Sequence, residues 1–290
     1  MPDAGAAWLL DRIRAARTRV FAKIYLLTDT RFVDALKQAK NNGATVRVMV
    51  EPDPYGATEI AKTTLRQLRA AGLEVKEANP TFRYTHEKSY VIDDTAIILT
   101  ANATRSAFSR NREFAVIARD TADVTEIAAT FLADWNRDIP QLNRANLAWS
   151  PVSSRAKLDA FVASAQHTLD VYVLTLADER MVATLRSAAQ RGVRVRIIAS
   201  PPSRTDGEDS DTVGLSEVER GGGFTRLITQ PFIHAKVLVV DGASAYVGSA
   251  NLSTTSLDYN RELGIFFNDA VALATLAKTF EQDWAKAKER

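Results

Sequence analysis

The feature that most constrains this chain is a demanding pattern that occurs twice. Residues 232–267 read FIHAKVLVVDGASAYVGSANLSTTSLDYNRELGIFF, which places His234, Lys236 and Asp241 in the spacing H-x-K-x4-D. Gly248, Ser249 and Asn251 follow, and then Asn260, Arg261 and Glu262. Residues 84–118 read YTHEKSYVIDDTAIILTANATRSAFSRNREFAVIA and supply His86, Lys88, Asp93, Thr100, Asn102, Asn111, Arg112 and Glu113 in the same order. One residue deleted after Asp93 aligns the copies, and the interval from asparagine to glutamate is unchanged. Phe131 and Trp135 recur downstream as Phe280 and Trp284. The repeat is too long for a solenoid unit, so it marks a duplicated domain. We expect a first domain over 1–138, a linker over 139–151 where prolines and polar residues break the periodicity, and a second domain over 152–290. A length of 290 residues accommodates two domains of ordinary size.

Within each half, apolar spacing alternates between the periods of helices and strands. The first half reads α-β-α-β-α-β over residues 6–76, then a motif hairpin turning at Asp93, a strand over 114–117 and a helix over 121–135. The second half restarts with helices over 156–166 and 179–190 and strands over 169–174 and 193–198, and it ends in a helix over 270–288. Strands alternating with helices imply an α/β fold with mixed sheets covered on both faces. By residue type, Tyr25 of IYLLT matches Tyr172 of VYVLT, and Gly43 matches Gly192. The copies diverge over 203–223, where an acidic, glycine-containing loop is expected as a flap beside the site, with a short helix near 213–220.

Composition narrows the function classes. The net charge of +2 argues against a chain dominated by nonspecific polyanion binding. The chain has no cysteine and 3 histidines, which excludes disulfides, thiolate sites and a histidine-rich metal centre. No apolar run is long enough to span a bilayer, and residues 1–20 lack a basic segment followed by an apolar core. A cytoplasmic location is the default expectation, and a periplasmic or secreted one follows if a leader has been removed. We expect activity as a monomer.

The paired motifs suit a phosphodiester. Cleaving this stable anion requires charge neutralisation, an in-line nucleophile and a proton for the leaving oxygen. A neutral imidazole attacks phosphorus while a protonated one serves the leaving group, and histidine reaches both forms near neutral pH. Lys88 and Lys236 supply positive charge, Asn102 and Asn251 amide groups, and Thr100 and Ser249 hydroxyls, all toward phosphate oxygens. Glu113 and Glu262 are candidates to hold one ring nitrogen of each histidine. His167 lies outside both motifs and reads as a capping or surface residue.

On these residues the sequence resembles the phospholipase D superfamily, whose signature H-x-K-x4-D-x6-G-S-x-N is met in full by His234, Lys236, Asp241, Gly248, Ser249 and Asn251. The resemblance spans nearly the whole chain. It implies two α/β/α sandwich domains related by a pseudo-twofold axis, one active site between them, a phosphohistidine intermediate, and neither metal nor cofactor. It further implies His86 as nucleophile, His234 as acid, and structural roles for Asp93 and Asp241. The first motif departs where Leu99 replaces the glycine, which is expected to narrow the phosphate pocket on that side.

The leading expectation is therefore a metal-independent phosphodiester hydrolase, with DNA, RNA or phospholipid as substrate partner. Short connections without large apolar insertions weigh toward nucleic acid. The alternatives are a phosphatidyl transferase of cardiolipin-synthase type, set lower because such proteins usually carry membrane segments, and a noncatalytic phosphate-binding module.

Overall fold

The computed structural model describes residues 1–201 and 210–290. In the first half, six strands lie in the order Glu74–Glu77, Thr45–Val50, Arg19–Ile24, Ser89–Ile92, Thr95–Leu99 and Ala115–Ala118. The first three are parallel and the last three antiparallel, so the sheet is mixed. The second half repeats the order with Phe224–Leu227, Arg194–Ala199, Thr168–Tyr172, Val237–Val240, Ser244–Gly248 and Glu262–Phe267. It adds Lys288–Glu289 at one edge and Leu147–Ser150 at the other.

Local chemistry explains why corresponding helices form in both halves. Thr30–Asn41 is capped by the Asp29 carboxylate, which accepts from Arg31 N–H, and it buries Phe32, Ala35, Leu36 and Ala39 at helical spacing. Glu179–Gln190 is capped by Asp178 and buries Met181, Val182, Leu185, Ala188 and Ala189. Gly43 and Gly192 follow these helices at φ 96° and 92°, a left-handed backbone that only glycine adopts cheaply. Strand alternation then sends Val20, Ala22 and Ile24 to one face, with Leu9, Ile13, Leu36 and Leu68, and Phe21 to the other, with Ile127, Phe131 and Trp135. Burying an aliphatic or aromatic side chain of this kind stabilises by roughly 1.5–3 kcal/mol.

The two halves share their inner cores. Leu147, Trp149, Leu263 and Ile265 of the second sheet pack with Phe131 and Trp135, while Phe114 and Val116 pack on the core around Phe280. Leu147–Ser150, expected within the linker, is instead an edge strand paired antiparallel with Glu262–Phe267. All four of its residues are buried, so it shows no polar alternation by which a sequence reading finds a strand. Of the loop expected over 203–223, residues 203–209 lie outside the described residues. Ser210–Arg220 is a helix that begins earlier than the apolar spacing indicated.

The structure also corrects one internal match. Lys23 lies opposite Ser89 where Tyr172 lies opposite Val237, and each then reaches the aspartate of the last helix in its own half. Lys23, and not Tyr25, is the positional counterpart of Tyr172. Two residues further on, Tyr25 corresponds to Leu174.

Candidate active site

Each motif hairpin is anchored by its aspartate. Asp93 and Asp241 occupy the turns at φ 51° and 53°. The Asp93 carboxylate accepts the backbone N–H groups of Arg17, Thr18 and Arg19, and Asp241 accepts those of Gln166, His167 and Thr168. These bonds hold both carboxyls below the usual range, with burial opposing them. Neither aspartate bonds to a motif histidine among the described residues, and exposed His167 takes part in this turn through its backbone N–H.

The strand entering each histidine docks on the other half. Phe232–Ile233 pairs in parallel with Asn111–Arg112, and Thr85 bridges to Arg261. His86 N–H donates to Arg261 O and His234 N–H to Arg112 O. This reciprocity places both histidines at the interface and creates crossed pairs. His86 Nδ1 lies 2.9 and 3.0 Å from the Glu262 carboxylate oxygens, and His234 Nδ1 lies 2.8 Å from Glu113 Oε1. The imidazoles keep 11% and 14% of their side-chain surface, so one edge of each faces outward from an otherwise buried site.

The repeated N-R-E segment divides its work among three residues. Glu113 and Glu262 reach across to the histidines. Asn111 Nδ2 donates to Glu113 at 3.3 Å, and Asn260 Nδ2 donates to Glu262 at 3.0 Å. Arg112 makes a fork to Asp283 of the other half's last helix, with bonds of 2.6 and 2.8 Å, and Arg261 reaches Asp134 of the first half's last helix at 2.7 Å. Removing one partner of such a buried pair costs about 3–5 kcal/mol. The sequence reading did not assign these arginines or their aspartates. The signal was available in the Asp-Trp dipeptides at Asp134-Trp135 and Asp283-Trp284.

Thr100 and Ser249 stand differently from expectation. Both are fully buried. Thr100 Oγ1 donates to Glu113 Oε2 at 2.5 Å and accepts Phe114 N–H, while Ser249 Oγ accepts Leu263 N–H and bonds to Glu262. Thr100 spends its hydroxyl on Glu113, and Ser249 divides its own between Leu263 O at 3.3 Å and Glu262, one layer behind the histidines. Asn102 and Asn251 each bury a side-chain oxygen that has no hydrogen-bond partner among the described residues.

Leu99 is likewise not in the pocket. It is 1% exposed and belongs to the hydrophobic core. A Cβ on Gly248 would lie 2.3 Å from the Tyr246 hydroxyl and 2.7 Å from Gly264 Cα, so glycine is required there by the tyrosine beneath it. The first half has Ile97 and Ala115 at the corresponding positions of its ladder and accommodates leucine. Gly248 and Leu99 stand opposite Lys236 and Lys88 in their ladders, so the missing glycine reflects different packing beneath the two lysines.

Electrostatics follow from burial. Desolvation lowers the His86 imidazole to about 4, with Glu262 opposing and Lys88 and Lys236 assisting, and it lowers His234 for the same reasons. Lys236 is brought down to about 8 by burial against the pull of Glu113 and Glu262, and burial lowers Lys88 as well, against Glu262. Burial pushes both glutamates up, but the neighbouring imidazoles and ammoniums hold them below the usual range. The free site therefore holds two carboxylates and two neutral imidazoles beside two lysines whose ammonium forms burial disfavours. Among the described residues no cluster of histidine and carboxylate groups has the arrangement of a metal site.

Comparison with known proteins agrees with this geometry. The family described as "Cardiolipin synthase, PLD-like domain" matches residues 9–135 and again 158–284. The probable cardiolipin synthase YwiE of Bacillus subtilis is 25% identical over 300 residues, covering 89% of this chain and 58% of its own length. Cardiolipin synthase 1 of Bacillus anthracis is 23% identical, covering 97% of this chain and 64% of its own. The chain thus spans about three-fifths of the length of these curated relatives. The phosphatidylserine synthase structure from Haemophilus influenzae superposes with a TM-score of 0.72 at 14% identity, covering 98% of this chain and 84% of that one, a likeness of fold. With both repeats inside the match and both motifs meeting at one interface, the chain belongs to the phospholipase D-like family.

Proposed function

We propose that the chain transfers a phosphatidyl group from one phospholipid to an alcohol acceptor, the reaction type of a cardiolipin synthase, through a phosphohistidine. The observation that carries the reading is the crossed pair His86–Glu262 and His234–Glu113 around two buried lysines. Relatives named for cardiolipin synthesis favour a phospholipid over nucleic acid and transfer over hydrolysis. The order of preference expected from the sequence is thereby reversed.

Glu262 accepts the Nδ1–H of His86, which leaves Nε2 with its lone pair toward phosphorus. Nε2 attacks, the P–O bond to the leaving alcohol breaks, and His234 gives that oxygen its proton. The acceptor hydroxyl then returns a proton to His234 as its oxygen attacks phosphorus and frees His86. Lys88 and Lys236 balance the charge on the nonbridging oxygens. The Nδ2–H groups of Asn102 and Asn251 are the donors assigned to the same anion. His234 must acquire a proton before the first step. The bound phosphodiester supplies the reason, because its negative charge opposes the burial and the lysines that hold the imidazole neutral in the free site. Hydrolysis is the same sequence with water as acceptor.

The test is to incubate chelator-treated protein with phosphatidylglycerol vesicles and, separately, with single-stranded DNA. Release of glycerol with formation of a diphosphatidyl product is expected, and His86→Ala and His234→Ala should abolish it. Phosphatidic acid and glycerol with no diphosphatidyl product would mark hydrolysis. DNA cleavage without phospholipid turnover would overturn the lipid reading.

A further inference from the structure

The two halves of the site are not equivalent, and the difference lies in one residue outside both motifs. In the second half the Lys236 ammonium sits 3.4 and 3.5 Å from the two ring nitrogens of its own His234. In the first half Lys88 makes no such contact among the described residues. Its Nζ lies instead 4.8 Å from the centroid of the Tyr25 ring and over its face. The same ring meets the His86 imidazole edge-on, with centroids 4.5 Å apart and planes at 75°. The Tyr25 hydroxyl accepts the Tyr55 N–H at 2.8 Å, which fixes the ring from its far end. Burial raises the Tyr25 hydroxyl to about 12, so it stays a neutral phenol. The corresponding position of the second half holds Leu174, which offers no π face to an ammonium.

An ammonium attracted to an aromatic face is held by the ring quadrupole, worth roughly 0.5–2 kcal/mol according to desolvation. Both ammoniums also donate to the carbonyl oxygen of their own histidine, Lys88 to His86 O at 2.5 Å and Lys236 to His234 O at 2.6 Å, so this tether does not distinguish the halves, and without the ring Lys88 can swing about it onto its imidazole as Lys236 does. That contact would place an N–H donor against the nitrogen whose lone pair must reach phosphorus. We propose that Tyr25 is a positioning residue for the covalent step: it parks Lys88 on its face and braces His86 with its edge, so that Nε2 of His86 stays open while His234 is shared with Lys236. This rests on the phosphohistidine reading above and supplies a physical reason why the two histidines are not interchangeable in it. The same cation–π contact favours the charged form of Lys88, so the ring also widens the pH range over which that lysine can neutralise phosphate.

Two variants separate ring from hydroxyl. Tyr25→Phe keeps both ring contacts and loses only the bond from Tyr55. Tyr25→Leu installs the residue found in the second half, and Tyr25 is partly exposed, so neither change opens a sealed core. With only 3 histidines in the chain, nitrogen-15 histidine spectra resolve each ring without any need for turnover. In Tyr25→Leu the His86 Nε2 resonance should move as Lys88 donates to it, while those of His234 and His167 stay. With a chromogenic phosphodiester, kcat should fall roughly tenfold at little change in KM, as expected for a lost desolvated cation–π contact, and its alkaline limb should shift to lower pH. Tyr25→Phe should match wild type within about twofold, the uncertainty of a single exposed hydrogen bond. Unmoved His86 resonances in Tyr25→Leu would overturn the proposal, as would an unchanged kcat and pH limb in an active protein. A wild-type protein inert toward every phosphodiester would instead count against the proposed function, and the spectra would still decide where Lys88 rests.

Discussion

At the scale of single residues, the site is a set of buried ionisable groups whose charges are settled by their neighbours. Lys236 titrates near 8 in the free protein because burial outweighs the two glutamates. Only its protonated form neutralises a phosphate oxygen, so kcat/KM, which reports the free enzyme, should fall as pH rises through about 8. At saturating substrate the bound anion favours the ammonium, so the same limb in kcat should lie at higher pH. Measuring both profiles with one phosphodiester checks this. Coincident limbs would mean that the substrate does not contact the lysine. The residues of this chemistry were legible in the sequence because histidine, lysine and glutamate recur at fixed spacing. Tyr25 was not, since its role depends on which ring faces which ammonium, and matching by residue type pointed wrongly to Tyr172.

At the scale of elements, the two hairpins show how one pattern tolerates different packing. Gly248 is dictated by Tyr246 on the same strand face, and Leu99 is allowed because Ile97 stands where the tyrosine would be. Gly248→Leu should therefore destabilise the protein by about 1–3 kcal/mol through overpacking, or more if the backbone of Gly264 cannot move. Adding Tyr246→Ile should recover part of the loss. Denaturant midpoints of the single and double variants test this, and a single variant as stable as wild type would show that the glycine serves something other than the tyrosine. Helices and most strands were legible from periodicity and capping aspartates. Leu147–Ser150 was not, because a strand buried on all sides has no alternation to read.

At the scale of the whole molecule, each half completes the other. Each histidine takes its glutamate from across the interface, and each N-R-E arginine clamps the other half's last helix. Both histidines of one site therefore come from one chain. Mixing purified His86→Ala with His234→Ala protein should restore no activity, because neither chain holds a complete pair. Recovery on mixing would mean that active sites form between exchanged halves of two chains.

The sequence by itself determined that the chain is a duplicated α/β fold with two copies of one motif, because spacing along a strand fixes which side chains share a face. Only the tertiary structure decided which glutamate serves which histidine, where Lys88 rests, and why one motif has lost its glycine. The first answer depends on contacts across the two halves and the others on side-chain packing that motif spacing does not encode, and a repeat with the same spacing in both copies leaves pairing within a half and pairing across halves equally open until the chain is folded.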